Sequence, residues 1–301
     1  MKNFQGKVAV ITGGASGLGR EFCRVGARLG MKVVLADVQQ DALDQAQTEL
    51  EAQGADVLAK HCDVRNAEQM QALADAVMGR FGAVHLVFNN AGVGCGGLLW
   101  EHSIADWEWI LGVNLWGVIH GVRVFTPLML ESAKKDNNYE GHIVNTASIA
   151  GLINAPTMGI YNVSKHAVVS LSETLHHDLQ LIGAPVGTSV LCPYFVPTGI
   201  NRSQRNRPDD VQNKSSPTAS QLAADAVIDK AVSSGKITAA EVAEDTFDAI
   251  RQARFYIYSH PQLLSNVQTR MEDVVLSRNP TDPLQSTPLV REMLLSKLKM
   301  S

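Results

Sequence analysis

Through its first two thirds the chain alternates short, continuously apolar runs with longer amphipathic ones. The apolar runs are "KVAVITG" at 7–13, "KVVLADV" at 32–38, "DVLAKHCDV" at 56–64, "HLVFNNAG" at 85–92, "GHIVNTAS" at 141–148 and "GTSVLCP" at 187–193. They are rich in Val, Ile and Leu and lack strict alternation, which predicts strands covered on both faces. Between them lie segments of helical length: 18–30, "DALDQAQTELEAQG" and "AEQMQALADAVMGRFG". The stretch "SIADWEWILGVNLWGVIHGVRVFTPLML" reads as one long helix, with Ser103 and Asp106 as a capping pair. Trp107, Ile110, Leu111, Leu115 and Val118 form its apolar stripe. Parallel neighbours need right-handed crossover helices, so this rhythm predicts the α/β class and a doubly wound parallel sheet flanked by helices.

After "PTGI" the texture changes. Residues 201–217 are polar and aperiodic, which predicts a mobile loop ending by about 219. A helical pattern returns with Thr238 and Glu241 spaced as a capping box, and "RFYIYSH" at 254–260 reads as a last strand. Residues 261–301 form a helical C-terminal extension with a proline-marked turn. There is no internal repeat or low-complexity tract, and the economical division is a single domain spanning 1–301.

Composition narrows the function. Hydrophobic residues make up 45% and charged residues 19%, with a formal net charge of −4. That balance gives no basic surface for nucleic acid and no acidic tail. The N-terminal apolar run is too short for a signal peptide or a membrane span. Cys23, Cys62, Cys95 and Cys192 show no paired spacing, so they read as free thiols in a reducing compartment rather than a zinc site. A soluble cytoplasmic protein, with no membrane partner, is the expectation.

Five features carry chemistry. "TGGASGLGR" at 12–20 follows the first strand and opens a helix. Gly13, Gly17 and Gly19 permit a tight turn and close approach of a ligand, and the helix start favours a pyrophosphate. Asp37 ends the second strand, where a carboxylate can accept both ribose hydroxyls of an adenosine and repel a 2′-phosphate. It could equally cap the next helix, a role open to Asp41. Position 38 is Val and no arginine follows nearby in the sequence, so nothing is expected to compensate a 2′-phosphate. "NNAG" at 89–92 closes the fourth strand, where ligands gather in parallel sheets, although an ordinary Asn/Gly turn has the same composition. Asn114 is a polar residue in an apolar helix, suited to bending it or bonding within the core. "YNVSK" places Tyr161 and Lys165 on one helical face, where a lysine can also simply snorkel into water.

Taken in order, Thr12-Gly13-xxx-Gly17-x-Gly19, Asp63, Asn89-Asn90-Ala91-Gly92, Asn114, Ser148, Tyr161-xxx-Lys165 and the Pro193–Thr198 segment resemble the short-chain dehydrogenase/reductase family. The likeness runs over residues 5–200 and more loosely over 220–260, and the ordered set is far more specific than any one element. It implies a Rossmann-like fold and an NAD-dependent oxidoreductase moving a hydride between nicotinamide and a secondary alcohol or ketone. Tyr161 would be the acid/base, its phenol shifted down from an ordinary value of about 10 by the Lys165 ammonium and the nicotinamide charge. Lys165 would also bond the nicotinamide ribose, Ser148 the substrate oxygen, and Asn114 a water leading to solvent. Gly13, Ser16, Gly17, Leu18 and Gly19 would cradle the pyrophosphate, and Asp37 the adenosine ribose. Asp63 and Val64 would hold the adenine, Asn89, Asn90, Ala91 and Gly92 would line the cofactor, and Pro193, Val196 and Thr198 would fix the carboxamide. The family also implies a homodimer or homotetramer built on helices 104–130 and 160–182.

One departure is Tyr194, where the family usually has glycine after the proline. The segments expected around the reacting carbon carry almost no charge, which fits an apolar or aromatic substrate, with Cys95, Ile149, Ala155 and Tyr194 as candidate wall residues. Arg202, Arg205 and Arg207 stand on the loop beyond, either solvated or closing on an acidic group. Two rivals remain: an NADPH-dependent carbonyl reductase, which Asp37 disfavours, and a non-catalytic NAD-binding sensor, which would have no use for the phenol–ammonium pair.

Overall fold

The computed structural model describes residues 1–285 and 288–298. Seven strands form one parallel sheet: β1 (Val8–Thr12), β2 (Lys32–Asp37), β3 (Val57–His61), β4 (Leu86–Asn89), β5 (Gly141–Thr146), β6 (Val186–Cys192) and β7 (Tyr256–Tyr258). Their order is β3-β2-β1-β4-β5-β6-β7, and every pair is parallel. The order reverses between β1 and β4, so the carboxyl ends of those two strands open a crevice.

Helices α1 (Gly17–Arg28), α2 (Gln40–Ala52) and α8 (Ala239–Arg251) cover one face. There Phe22 stacks on Phe88 at 4.4 Å, and Phe247 packs against Phe88 at 5.6 Å. On the other face α3 (Ala67–Phe81) and α5 (Gly117–Lys135) pack on Val10, Val34, Val87 and Ile143, while α6 (Gly159–Leu181) packs beside them on Val190. Strands walled on both sides have no polar face to alternate with, which is why their sequence is continuously apolar.

The helix starts follow their capping residues. Ser103 accepts from the Asp106 N–H while Asp106 accepts from the Ser103 N–H, and Thr238 and Glu241 do the same at α8. Thr218 and Gln221 open α7 (Ala219–Ser233) in the same way.

Two sequence expectations need correcting. The long helix is α4 (Ile104–Leu111) joined to α5 through a π-helical turn, Gly112–Trp116. Such a turn accommodates one extra residue, and here it carries Asn114 inward to full burial. By length and composition Ile104–Lys135 could cross a membrane, but half of that window is buried within the protein. The 201–219 segment is also more than a featureless loop. It forms short 3₁₀ turns at Ile200–Asn206 and Asp209–Val211, with Ser203, Arg207 and Val211 buried. Arg207 Nη1 lies 2.7 Å from Asp106 Oδ1, and its guanidinium stacks over Trp109. An aperiodic polar sequence hid a buried ion pair to a distant helix.

The C-terminal extension holds α9 (Leu264–Val275) and α10 (Pro288–Leu298). The latter packs against α7 and buries Leu294. Expectations for residues 286–287 and 299–301 lie outside the described residues.

Candidate active site

The crevice at the sheet reversal opens into a cavity of 1160 Å³. One end is built by the β1–α1 turn. Gly13 and Gly17 have φ of +66° and +52°, and a Cβ on Gly19 would lie 2.0 Å from the Gly13 carbonyl oxygen. Gly19 therefore permits helix–strand contact, while Gly13, Ser16, Gly17 and Leu18 line the wall. Thr12 Oγ1 accepts from the N–H groups of Asn90 and Ala91 at 2.9 and 3.1 Å. The Asn90 amide in turn donates to the Thr12 carbonyl and accepts from Thr146 Oγ1. These bonds tie the carboxyl ends of β1, β4 and β5 into one rigid floor.

Asp37 reaches the same wall from β2. Its two oxygens accept from the Ala15 and Gln39 N–H groups, both at 3.1 Å. It does not cap α2, whose N-cap is Gln39, and Asp41 lies inside that helix without capping it. Burial raises the Asp37 carboxyl above its ordinary range, with the backbone bonds and Arg205 pulling back. Arg205 corrects a further expectation. Its Nε lies 3.4 Å from Gln39 Oε1, so an arginine does stand beside the Asp37 region, delivered from the far loop. Farther along, Asp63 and Val64 line the cavity. Arg65 engages the Asp63 carboxylate at 2.8 Å and also reaches Asp210.

Asn89 is the predicted lining residue that the structure turns away. Its amide donates to Asn145 at 2.8 Å, and its side chain fills the space a Cβ on Gly121 would need. It braces β4 against β5 and α5, whereas Asn90, Ala91 and Gly92 line the wall.

At the opposite end Ser148, Tyr161 and Lys165 converge. Ser148 follows β5, and its hydroxyl adjoins the phenol closely enough to act on its proton affinity. Lys165 Nζ donates to the Thr146 carbonyl at 2.8 Å and sits 5.7 Å from the Tyr161 ring centre. Lys165 is therefore no snorkelling surface lysine: it is 2% exposed. The expected lowering of the phenol is not met in the chain alone. Burial pushes Tyr161 up to about 12, with only the Ser148 bond opposing. Burial also brings Lys165 down to about 8. Desolvation dominates both shifts, and any lowering of the phenol has to come from charge added to the site.

Asn114 is held from both sides. Its Oδ1 accepts from the Val93 N–H at 2.8 Å, and its Nδ2 donates to the Val93 carbonyl and to Ser164 Oγ. A Cβ on Gly92 would lie 3.6 Å from both Asn114 Oδ1 and Lys165 Nζ, so the amide and the ammonium border the same glycine.

Pro193, Val196 and Thr198 complete this end, together with Cys95, Ile149, Ala155 and Tyr194. The Tyr194 ring packs on Phe195 and edge-on to His260 at 5.5 Å. Burial pushes the Cys95 thiol up to about 12, which makes it a small apolar wall residue rather than a nucleophile. Sequence reasoning missed the outer wall, where Leu263 and Asn266 of the extension, then Val290 and Leu294 of α10, line the cavity. No local signal marks them. Their only hint is the apolar spacing in a segment beyond the motifs.

Comparison with known proteins bears on the family and the fold. The profile of the short chain dehydrogenase family matches residues 7–209. A short chain dehydrogenase/reductase from Burkholderia phymatum, solved in complex with NAD, is 58% identical with a TM-score of 0.92, covering 95% of this chain and 100% of that one. The CLA biosynthesis dehydrogenase/reductase of Lactiplantibacillus plantarum is 31% identical over 93% of this chain and 97% of its own length. The 1-deoxy-11-beta-hydroxypentalenate dehydrogenase of Streptomyces avermitilis is 34% identical over 90% of this chain and 89% of its own.

Proposed function

The chain belongs to the short-chain dehydrogenases, and on that premise we propose that it interconverts an apolar or aromatic secondary alcohol and its ketone, using NAD(H), with Tyr161 as the acid/base. The observation that carries this reading is the buried Ser148–Tyr161–Lys165 cluster at one end of a cavity whose other end offers glycine backbone and Asp37.

The residues present fit a dinucleotide. A Cβ at position 13 would meet the Ala91 backbone at 2.9 Å, so the turn is kept to bare backbone where a pyrophosphate would approach. The Asp37 oxygens are preset by two N–H groups at the place an adenosine ribose would occupy. Bound dinucleotide would supply the hydride acceptor and, when oxidised, a positive ring.

The chain's own residues do the rest. Ser148, anchored between the Pro193 carbonyl and the Ala150 N–H, would hold the substrate oxygen against the phenol. Tyr161 would donate its proton in reduction, for which its neutral form at pH 7 is suited, and would take the hydroxyl proton in oxidation as phenolate, once positive charge bound in the site has lowered the phenol. Lys165 would bond the nicotinamide ribose and stabilise phenolate, with Asn114 beside it holding a water. Apolar side chains including Trp109, Val113, Ile149, Ile153, Ile228 and Leu294 would exclude bulk water from the reacting carbon. Asp37 supports NAD over NADP.

Exposed Trp116 next to α5, with Val163, Leu181 and Ile182 on or beside α6, supports association through those helices as a homodimer or homotetramer. Four free, buried cysteines support a reducing, cytoplasmic setting.

The test is a titration with NADH followed through tryptophan fluorescence, then a screen of bulky secondary alcohols for NADH production. Binding with turnover on an apolar alcohol is expected. Binding without turnover on any of them would favour a cofactor sensor, and absence of binding would defeat the reading.

A further inference from the structure

Strands β6 and β7 run parallel with Cys192 beside Tyr258, so the residues two places on, Tyr194 and His260, leave neighbouring strand ends side by side. One hydroxyl joins them. Ser259 Oγ accepts from the Tyr194 N–H at 3.0 Å and lies 2.7 Å from His260 Nδ1. The arrangement that also uses the Ser259 proton has it donated to Nδ1, which leaves the ring hydrogen on Nε2. That N–H has no acceptor among the described residues and is not sealed from solvent, and His260 lines the cavity. Burial lowers the imidazole below its ordinary value, so the ring is neutral at pH 7. The Tyr194 ring stands edge-on to it at 5.5 Å and packs on Phe195, which limits how far either ring swings. The pair belongs to the substrate end of the cavity, because the Pro193 carbonyl, one residue before Tyr194, is the acceptor for Ser148 Oγ.

We propose that His260 Nε2 donates a hydrogen bond to an uncharged acceptor oxygen of the substrate, an ether or carbonyl remote from the reacting carbon, with the Tyr194 ring as the adjoining wall. The substrate class then narrows to apolar or aromatic secondary alcohols that carry such an oxygen. This rests on the alcohol/ketone reading above and deepens it. A carboxylate or phosphate calls for a charged donor, and a neutral imidazole is not one. An ether or carbonyl oxygen needs only one N–H held in a fixed direction, and it brings no charge to be desolvated. His260 immediately precedes the C-terminal extension, whose Leu263 and Asn266 continue the same wall, so the donor sits beside apolar surface rather than in open water. A substrate lacking the oxygen would bury that N–H without a partner, which is how a polar group in an apolar pocket discriminates.

The experiment uses matched alcohols that differ only by oxygen for methylene, at two reaches from the carbinol. One pair is 1-(4-methoxyphenyl)ethanol and 1-(4-ethylphenyl)ethanol; the other is 1-(4-phenoxyphenyl)ethanol and 1-(4-benzylphenyl)ethanol. We would measure kcat/KM with NAD for the full-length protein and for His260→Phe, His260→Gln and Tyr194→Phe, with NADH binding by tryptophan fluorescence as the check on folding. Electronic effects of the ring substituent are common to all variants and cancel when ether/methylene ratios are compared. In at least one pair the wild-type ratio should exceed that of His260→Phe by about fivefold, the worth of one neutral hydrogen bond. His260→Gln places an N–H near the position of Nε2 and should retain part of the preference. Tyr194→Phe should keep the ratio, since the phenol oxygen is not the donor. If His260→Phe shows the wild-type ratio in both pairs, or if the ratio is lost only in Tyr194→Phe, the proposal is wrong. If none of the four alcohols is oxidised although NADH binds, the alcohol/ketone reading itself fails, and the proposal with it.

Discussion

Replacing Lys165 with Met should make the dinucleotide-free protein more stable. The side chain is 2% exposed, and burial lowers its pKa from 10.5 to about 8. Keeping the ammonium buried at pH 7 therefore costs about 3 kcal/mol. Met has similar length and no charge, so the substitution removes that cost. It also removes the bond to the Thr146 carbonyl at 2.8 Å, a loss of about 1 kcal/mol. The net expectation at pH 7 is a variant more stable by about 2 kcal/mol. The sign with pH follows from proton counting. The folded pKa is depressed, so between about 8 and 10.5 the unfolded chain binds more protons than the folded one, and wild-type stability rises with pH relative to the variant. By pH 9 the ammonium cost is about 2 kcal/mol, so the advantage of the variant shrinks by about 1 kcal/mol. Buried thiols such as Cys95 titrate in the same range, but they are common to both proteins and cancel in the difference. Urea unfolding of both proteins at pH 7 and pH 9, without dinucleotide, gives the numbers by linear extrapolation. A variant less stable than wild type at pH 7, or an advantage that does not change with pH, refutes the reasoning. The lysine would then be a structural asset rather than a group kept at a cost for chemistry.

Three further outcomes are expected. Tyr161→Phe should abolish turnover and leave the NADH dissociation constant within about twofold, since the phenol oxygen serves proton transfer rather than binding; a large loss of NADH affinity would contradict that role. Arg207→Met strands the buried Asp106 carboxylate and should destabilise by about 3–5 kcal/mol, or, if the loop opens first, expose residues 200–213 to limited proteolysis. Burial alone would raise Asp106, but bonds from Arg207 and Asn213, with the His102 ring 3.6 Å away, hold it well below the carboxylate range. The wild-type contribution is therefore full at neutral pH and lost as pH falls below about 4. A variant that matches wild type in both unfolding and proteolysis at neutral pH would show the ion pair to be idle. Leu294→Ala should raise KM for a bulky apolar alcohol about fivefold, the loss of one apolar contact of about 1 kcal/mol, with NADH binding unchanged; an unchanged KM would remove α10 from the substrate wall.

What the sequence made legible follows from locality. Strands such as Val8–Thr12 and Val186–Cys192 sit within the apolar runs that predicted them, because a sheet walled on both sides leaves no other composition. The cap pairs Ser103–Asp106 and Thr238–Glu241 were readable since each is complete within four residues. The nearness of Tyr161 and Lys165 was readable because one helical turn separates them, whereas Ser148 was named only by the family resemblance. The misses all depend on long-range placement. Arg205 meets Gln39 across 166 residues, and nothing in either neighbourhood announces it. Arg207 looked like one more charge in a polar loop, although its guanidinium is stacked over Trp109. Asn89, one position from a true wall residue, points to the other side of its strand, as alternate side chains must. The phenol shift failed for a different reason: one-turn spacing of Tyr161 and Lys165 reports proximity and carries no information about desolvation.

The π turn at Gly112–Trp116 has a geometric consequence of its own. One surplus residue in a continuous helix turns everything beyond it by about 100° relative to an uninterrupted α-helix. The α4 and α5 halves therefore keep separate angular phases, one directing Trp109 and Ile110 toward the cavity side and the other directing Val124 and Phe125 onto the sheet. Deleting a single residue between 112 and 116 would restore a regular hydrogen-bond ladder and at once put the two halves out of step. The most regular version of this helix would be the one that no longer fits its neighbours.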